Sequence, residues 1–188
     1  MTRSDFLRNG LKSILGFTAE LVDQQVESTA RKMVIPQHRP PGAISEVAFL
    51  MKCTRCDLCR EACPHGAITV AAATTGSAVG TPIIIPDTAP CHLCEDTPCI
   101  SACPEGALLP VEKIKMGRAY VIQSKCFGYN GQVGMCDYCF DRCPLKNQAI
   151  VMENHKPRIN AEHCAGCGLC EYFCPAPGKA IKVVVDRV

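Results

Sequence analysis

Cys53, Cys56, Cys59 and Cys63 fall within eleven residues, spaced Cys-x2-Cys-x2-Cys-x3-Cys, with Pro64 directly after the last. The group recurs as Cys91, Cys94, Cys99 and Cys103, as Cys126, Cys136, Cys139 and Cys143, and as Cys164, Cys167, Cys170 and Cys174, which accounts for all sixteen cysteines. A secreted disulfide scaffold scatters its thiols so that bridges join distant segments; here they are clumped. A tetrahedral zinc site usually takes two separated pairs. Three cysteines at two-residue intervals, then a fourth and a proline, form a ligand run for a [4Fe–4S] cubane. Its irons point to the corners of a tetrahedron, so one looping backbone covers three corners while its N–H groups face the sulfurs. The fourth cysteine, turned away by the proline, ligates a different cluster. Such motifs work in pairs, so four motifs predict four [4Fe–4S] clusters with all sixteen cysteines as ligands.

The elements that must position these thiols repeat with them. The motifs span 53–63, 91–103, 126–143 and 164–174; the second has two extra residues between its second and third cysteines, and the third has nine between its first two. Every copy ends Cys-Pro and is followed by an Ala-Ile or Ala-Leu pair. The apolar tails 67–70, 107–109, 149–152 and 180–185 read as strands, and "TPIIIP", "RAYVIQ" and "KPRIN" as their antiparallel partners. A short helix is expected near each third ligand. The predicted fold class is α+β: tandem bacterial-ferredoxin-like modules, each built for two [4Fe–4S] clusters, with an N-terminal amphipathic helix. The expected organisation is a helical arm over 1–35, a proline-rich linker over 36–45 and a four-cluster body over 46–188.

Composition narrows the function classes. The chain has 188 residues, no Trp and a formal charge of +2, too weak to point to nucleic acid or a membrane surface. Sixteen thiolates bring −16 and four oxidised cores +8, so the loaded protein sits near −6, which suits a basic patch on a redox partner. No apolar run reaches about 18 residues, the length of a membrane span. No Gly-x-Gly-x-x-Gly loop, Walker-type loop or Cys-x3-Cys-x2-Cys run is present, and no motif is short of a cysteine. The residues thus name no catalytic group and predict an electron carrier without its own substrate site.

Beyond the cysteines, "RPPGA" (39–43), "FLMKCTRCDLC" (49–59), "GTP" (80–82), "PCHLCEDTPC" (90–99), "MGRA" (116–119), "MCDYCFDRCP" (135–144), "CAGCGLCE" (164–171) and "AIKV" (180–183) resemble the NapG/MauM family of polyferredoxins. The likeness covers residue 39 to the C-terminus, and the long gap between Cys126 and Cys136 makes it specific. NapF-type ferredoxins are similar around "CTRCDLC" and match the second motif less well. The resemblance implies an electron-transfer subunit of an oxidoreductase complex, of the kind used in anaerobic respiration. Its partners would be a quinol-linked membrane protein and a reductase or dehydrogenase, reached through the N-terminal arm and the surfaces near the clusters. The alternative is an accessory ferredoxin that binds and matures a reductase. Similarity to related four-cluster subunits further implies nested sharing: Cys174 would join Cys53, Cys56 and Cys59, and Cys63 would join Cys164, Cys167 and Cys170. Likewise Cys143 would join Cys91, Cys94 and Cys99, and Cys103 would join Cys126, Cys136 and Cys139. Sequential sharing is the other arrangement.

The N-terminus departs from the family. NapG-like precursors begin with a twin-arginine export signal; here "TRSDFLR" (2–8) has Ser4 at the second arginine. Asp23, Glu27, Arg31 and Lys32 interrupt any apolar signal core, and no small-residue cleavage site follows. The expectation is an unprocessed, cytoplasmic protein associated with membranes through its partners; a periplasmic home is the alternative if the degenerate signal still works. Leu7, Leu11, Ile14, Leu15, Leu21, Val22, Val26 and Met33 recur at helical spacing until Pro36, a pattern that predicts a docking arm weakened by Gly10 and Gly16 at roughly 1 kcal/mol each.

Other residues take plainer roles. His65, His92 and His163 read as loop residues beside ligand cysteines. The insert "FGYNGQVGM" (127–135) reads as a shield for its cluster or a docking surface, and Lys52, Arg55, Arg60, Lys125 and Arg142 as solvated charge.

Overall fold

The computed structural model describes residues 35–131 and 136–185; the predicted arm over 1–35 lies, save Ile35, outside the described residues. Each cysteine motif carries a short helix at its third ligand, and these four helices are cut off for the same reason. Helix α1 (Glu46–Lys52) leads into the first motif, and α2 (Leu58–Glu61), α3 (Pro98–Ser101), α5 (Tyr138–Asp141) and α6 (Leu169–Tyr172) each carry a third ligand. Pro64, Pro104, Pro144 and Pro175 follow the fourth ligands, where a missing N–H and steric pressure on the preceding residue stop a helix. In the third motif, α4 (Phe127–Asn130) precedes α5 and ends at Gly131 with φ 65°.

The strands are short and rich in β-branched residues, as pleated half-buried surfaces require. β1 (Ile68–Val70) pairs antiparallel with β2 (Pro82–Ile84), setting Ile68 opposite Ile84. β4 (Ile150–Glu153) pairs with β5 (Lys156–Ile159) through a two-residue turn in which Asn154 and His155 take φ of 51° and 61°, the type I′ geometry that matches strand twist. β3 (Arg118–Val121) pairs with β6 (Ile181–Val184). All three predicted partner segments thus find their strands.

The fourth tail, 107–109, differs from expectation. Only an isolated bridge forms there, Leu108 with Ala43. Gly106 at φ 63° bends the chain before it and Pro110 blocks extension after it. Ile44 N–H donates to the Ala107 carbonyl at 3.2 Å and Leu109 N–H to the Gly42 carbonyl at 2.8 Å. Residues 42–44 therefore stand to the second motif's tail as β3 stands to the fourth motif's tail. The chain folds the same plan twice: a leading segment, a motif, a hairpin, a second motif, and a tail that returns to the leading segment.

That plan corrects the linker over 36–45. His38, Arg39 and Pro40 are buried, and Ile84 N–H donates to the His38 carbonyl at 2.7 Å. The Arg39 guanidinium reaches Glu46 Oε1 and Oε2 at 2.5 and 3.0 Å, Thr81 Oγ1 at 2.6 Å and the Pro82 carbonyl at 2.8 Å, and lies 4.5 Å above the Phe49 ring. Prolines there set an extended path, and the path runs along the body because a buried guanidinium must find acceptors. The core is correspondingly divided: Phe49, Ile68, Ile84, Ile100 and Leu108 in the first half, Ala119, Ala149, Ile150 and Ile181 in the second.

Candidate metal centres

Backbone conformation aims the thiols. In three of the four motifs the residue before the second ligand is left-handed (Arg55 φ 59°, Leu93 φ 53°, Gly166 φ 72°), and so is one between the second and third (Asp57 64°, Thr97 39°, Gly168 93°). Such turns point successive N–H groups into one concavity. The non-glycine residues hold this at a cost of roughly 1–2 kcal/mol each. N–H groups also reach the sulfurs directly: Ala67 to Cys63 Sγ at 3.4 Å, Leu93 to Cys91 at 3.5 Å, Ala119 to Cys164 at 3.4 Å and Ala180 to Cys174 at 3.2 Å.

The sixteen cysteines fall into four quartets, each lining one cavity. Cys53, Cys56 and Cys59 share theirs with Cys103. Cys91, Cys94 and Cys99 share theirs with Cys63. Cys126, Cys136 and Cys139 are joined by Cys174, and Cys164, Cys167 and Cys170 by Cys143. The grouping of thiols is sequential, where the nested scheme expected otherwise: Cys174 stands with the third motif and Cys103 with the first. The doubled strand plan is the reason, since each pair of adjacent motifs closes around its own strands.

The cavities hold about 320 to 370 Å³ of free space, part of it open to solvent, and their walls are almost wholly apolar. Among the described residues no three Cys, His, Asp or Glu groups converge closely enough to hold a single ion, although four thiols ring each space. Wide quartets of soft donors suit a polynuclear core rather than one zinc ion. Burial pushes the Cys59 thiol up to about 12, helped by Cys53 and Cys103. It pushes Cys139 and Cys167 to about 12 and Cys91 to about 11, and Cys170 well above its usual value. Four thiolates so crowded need a cationic core among them.

The quartets lie in one order. Cys91 N–H donates to the Cys167 carbonyl at 2.9 Å and Met116 N–H to the Ala165 carbonyl at 2.9 Å, which places the Cys63 quartet beside the Cys143 quartet. A Cβ on Gly166 would fall 2.6 Å from Gly117 backbone atoms, so the fourth motif's loop sits flush against the chain joining the halves. Cys139 of the Cys126 quartet raises the Cys170 thiol across the second half. Cys56 is exposed at the outer edge of the Cys53 quartet.

The relatives fit this geometry. A 4Fe-4S dicluster domain matches residues 52–107 and another matches 134–175, the same pairs of motifs. The chain is 33% identical to the ferredoxin-type protein NapG of Escherichia coli over 97% of its own length and 85% of that protein's. It is 35% identical to the methylamine utilization ferredoxin-type protein MauM of Methylorubrum extorquens, over 97% and 89%.

The chain belongs to the NapG/MauM family of ferredoxin-type proteins. The weaker likeness to the NapF ferredoxin-type protein of Escherichia coli, 31% over 73% of this chain and 79% of that one, agrees with second place for NapF. Two dicluster domains and sixteen cysteines in this NapG/MauM member fit four [4Fe–4S] clusters. No helix among the described residues is long and apolar enough to cross a membrane.

Several contacts of this NapG/MauM member escaped sequence reading. His65 and His92 stack with ring centroids 3.9 Å apart on the rim of the Cys63 quartet. Their nearness was hidden by the fold that brings their motifs together. Phe127 lines the Cys126 cavity and the Tyr129 hydroxyl meets the Pro157 carbonyl at 3.4 Å, so the insert's first turn covers its quartet; 132–135 lie outside the described residues. Of the cations read as solvated, Arg60 pairs with Asp57 at 2.8 Å, Arg55 donates to the Val79 carbonyl at 3.0 Å, Lys125 reaches the Gly178 carbonyl at 3.5 Å and Arg142 covers the Phe173 ring at 4.5 Å.

Proposed function

We infer that this chain is an electron-transfer subunit joining two redox partners within a larger oxidoreductase complex. In this reading Cys53, Cys56, Cys59 and Cys103 hold one [4Fe–4S] cluster; Cys63, Cys91, Cys94 and Cys99 a second; Cys143, Cys164, Cys167 and Cys170 a third; Cys126, Cys136, Cys139 and Cys174 a fourth. When bound, such clusters supply reversible one-electron storage at potentials set by the surrounding protein. The observation that carries the reading is the 2.9 Å hydrogen bond from Cys91 N–H to the Cys167 carbonyl, which links the inner quartets of the two halves and makes four sites into one row. The chain's own residues do the rest: apolar walls keep water out, and N–H···S bonds favour the reduced, more negative state.

The test is anaerobic purification with iron, sulfide and zinc analysis, followed by reversible reduction. About sixteen irons per chain, from four per quartet, are expected. Mainly zinc, or far less iron, overturns the reading. An assembly factor would instead be missing from the finished complex. The amphipathic pattern over 1–35 supports an arm that docks on a partner; deleting 1–35 should abolish co-purification with the redox partners while leaving iron content unchanged. Ser4 in place of the second arginine supports a cytoplasmic home, which cell fractionation checks: protein recovered in the periplasm would overturn it.

A further inference from the structure

Two lysines hold the backbone of ligand cysteines in the second half of the chain. Lys115 Nζ donates to the Cys164 carbonyl at 2.9 Å and also to the Ala161 carbonyl. Lys179 Nζ donates to the Tyr172 carbonyl at 2.7 Å and the Cys174 carbonyl at 3.0 Å. The first clamps a ligand of the Cys143 quartet, the second a ligand of the Cys126 quartet. Both clamps fall on second-half ligands.

Charges near the first-half sites are mixed at the Cys53 quartet and acidic at the Cys63 quartet. Arg55, Asp57 and Glu105 all line the Cys53 cavity, and Glu95 and Asp96 stand between Cys94 and Cys99. In the second half, Asp137 follows Cys136. Glu171, next to Cys170, is buried, but Lys182 Nζ holds Oε1 at 2.7 Å and Val183 N–H holds Oε2 at 2.7 Å, so its charge is matched. Burial differs between the sites, with Cys56 exposed and Cys164 and Cys167 buried, and nearby charge acts on top of it.

We propose that Lys115 and Lys179 are positioning residues that raise the potentials of the two second-half sites above those of the first half, the Cys143 quartet highest. The proposal rests on the four-cluster reading above. A core that takes up one electron gains one negative charge with no proton, and a fixed ammonium beside a ligand's backbone favours that charge. Lys115 sits on a ligand's own carbonyl at a site where Glu171 is matched by Lys182, whereas Lys179 shares its site with Asp137. An electron placed on the chain therefore rests in the second half, just beyond the Cys91–Cys167 junction.

The test uses the full-length holoprotein, poised anaerobically against a low-potential one-electron reductant such as dithionite or titanium(III), with midpoints read by electron paramagnetic resonance. Lys115→Gln should lower the most positive of the four midpoints, and Lys179→Gln should lower a different one. Lys115→Arg should keep its midpoint near the wild-type value. Lys113→Gln removes the same charge from an exposed side chain two residues away and should move none. Unmoved midpoints in a fully loaded Lys115→Gln, or movement of the lowest instead of the highest, overturn the proposal. If Lys115→Gln fails to load iron, Lys179→Gln decides: its midpoint must fall. Wild-type protein with far fewer than about sixteen irons would instead defeat the underlying reading.

Discussion

Gly166 stands where no side chain fits. Its φ is 72°, and an added Cβ would lie 2.6 Å from the Gly117 nitrogen and carbonyl carbon; both are backbone and neither can swing aside. Gly166→Ala should cost about 2–5 kcal/mol, from left-handed strain plus overpacking. Iron should fall by about one cluster, since this loop separates Cys164 from Cys167. Gly131, left-handed at φ 65° and ψ 15° with open space for a Cβ, is the control: Gly131→Ala should cost only about 1–2 kcal/mol and leave iron unchanged. Anaerobic thermal unfolding with metal analysis checks both. His38 gives a prediction in pH. Burial lowers its pKa to about 4 from the usual 6.5, only partly offset by a backbone hydrogen bond to Gly166, and its Nε2 is buried without a hydrogen-bond partner among the described residues. A base held neutral in the fold takes up a proton only after the unfolded chain does, so stability falls as pH drops from 6.5 towards 4, by about 3 kcal/mol in all. His38→Gln should flatten that slope relative to wild type in melting temperatures measured across the range. The ligand cysteines were legible because their spacing is local. Lys115 was not: its carbonyl partners lie 46 and 49 residues away, and nothing around it in sequence marks it.

At the scale of elements, the buried Arg39 does what no sheet alone could. β1 and β2 make only three paired positions, and so small a ladder needs something to hold it. Arg39 ties the leading segment to α1 through Glu46 and to β2 through Thr81 and Pro82. Removing one partner of a buried pair leaves the other charge without compensation, at about 3–5 kcal/mol. Arg39→Ala should therefore destabilise the first half by that amount and leave the Cys126 and Cys143 quartets loaded, which iron analysis and anaerobic unfolding would show as a loss of about half the metal. Arg39→Lys should keep only part of the lost stability and metal, because an ammonium lacks the planar fork that meets both carboxylate oxygens. The segment's role was hidden by its composition: three prolines and a glycine read as a spacer, and the acceptors that bury Arg39 lie as far as 43 residues along the chain.

For the whole molecule, motif spacing announces that fourth cysteines are exchanged but not with whom. The answer lies in contacts that cross tens of residues: Ala43 with Leu108 in one half, β3 with β6 in the other. Each returning tail closes a module around two adjacent motifs, so the proposed exchange is within the module. Paired substitutions separate this from nesting by counting. Cys53 and Cys103 line one cavity, whereas Cys174 lines another. The double variant Cys53→Ser with Cys103→Ser should therefore impair a single cluster, losing about four irons at most. Cys53→Ser with Cys174→Ser should impair two and lose up to about eight. Under nested sharing the two results would exchange places, because Cys53 and Cys174 would then belong to one cluster and Cys53 and Cys103 to two. Serine can retain a weakened cluster through its oxygen, so resonance spectra should accompany the metal analysis: one altered signal in the first double variant, two in the second.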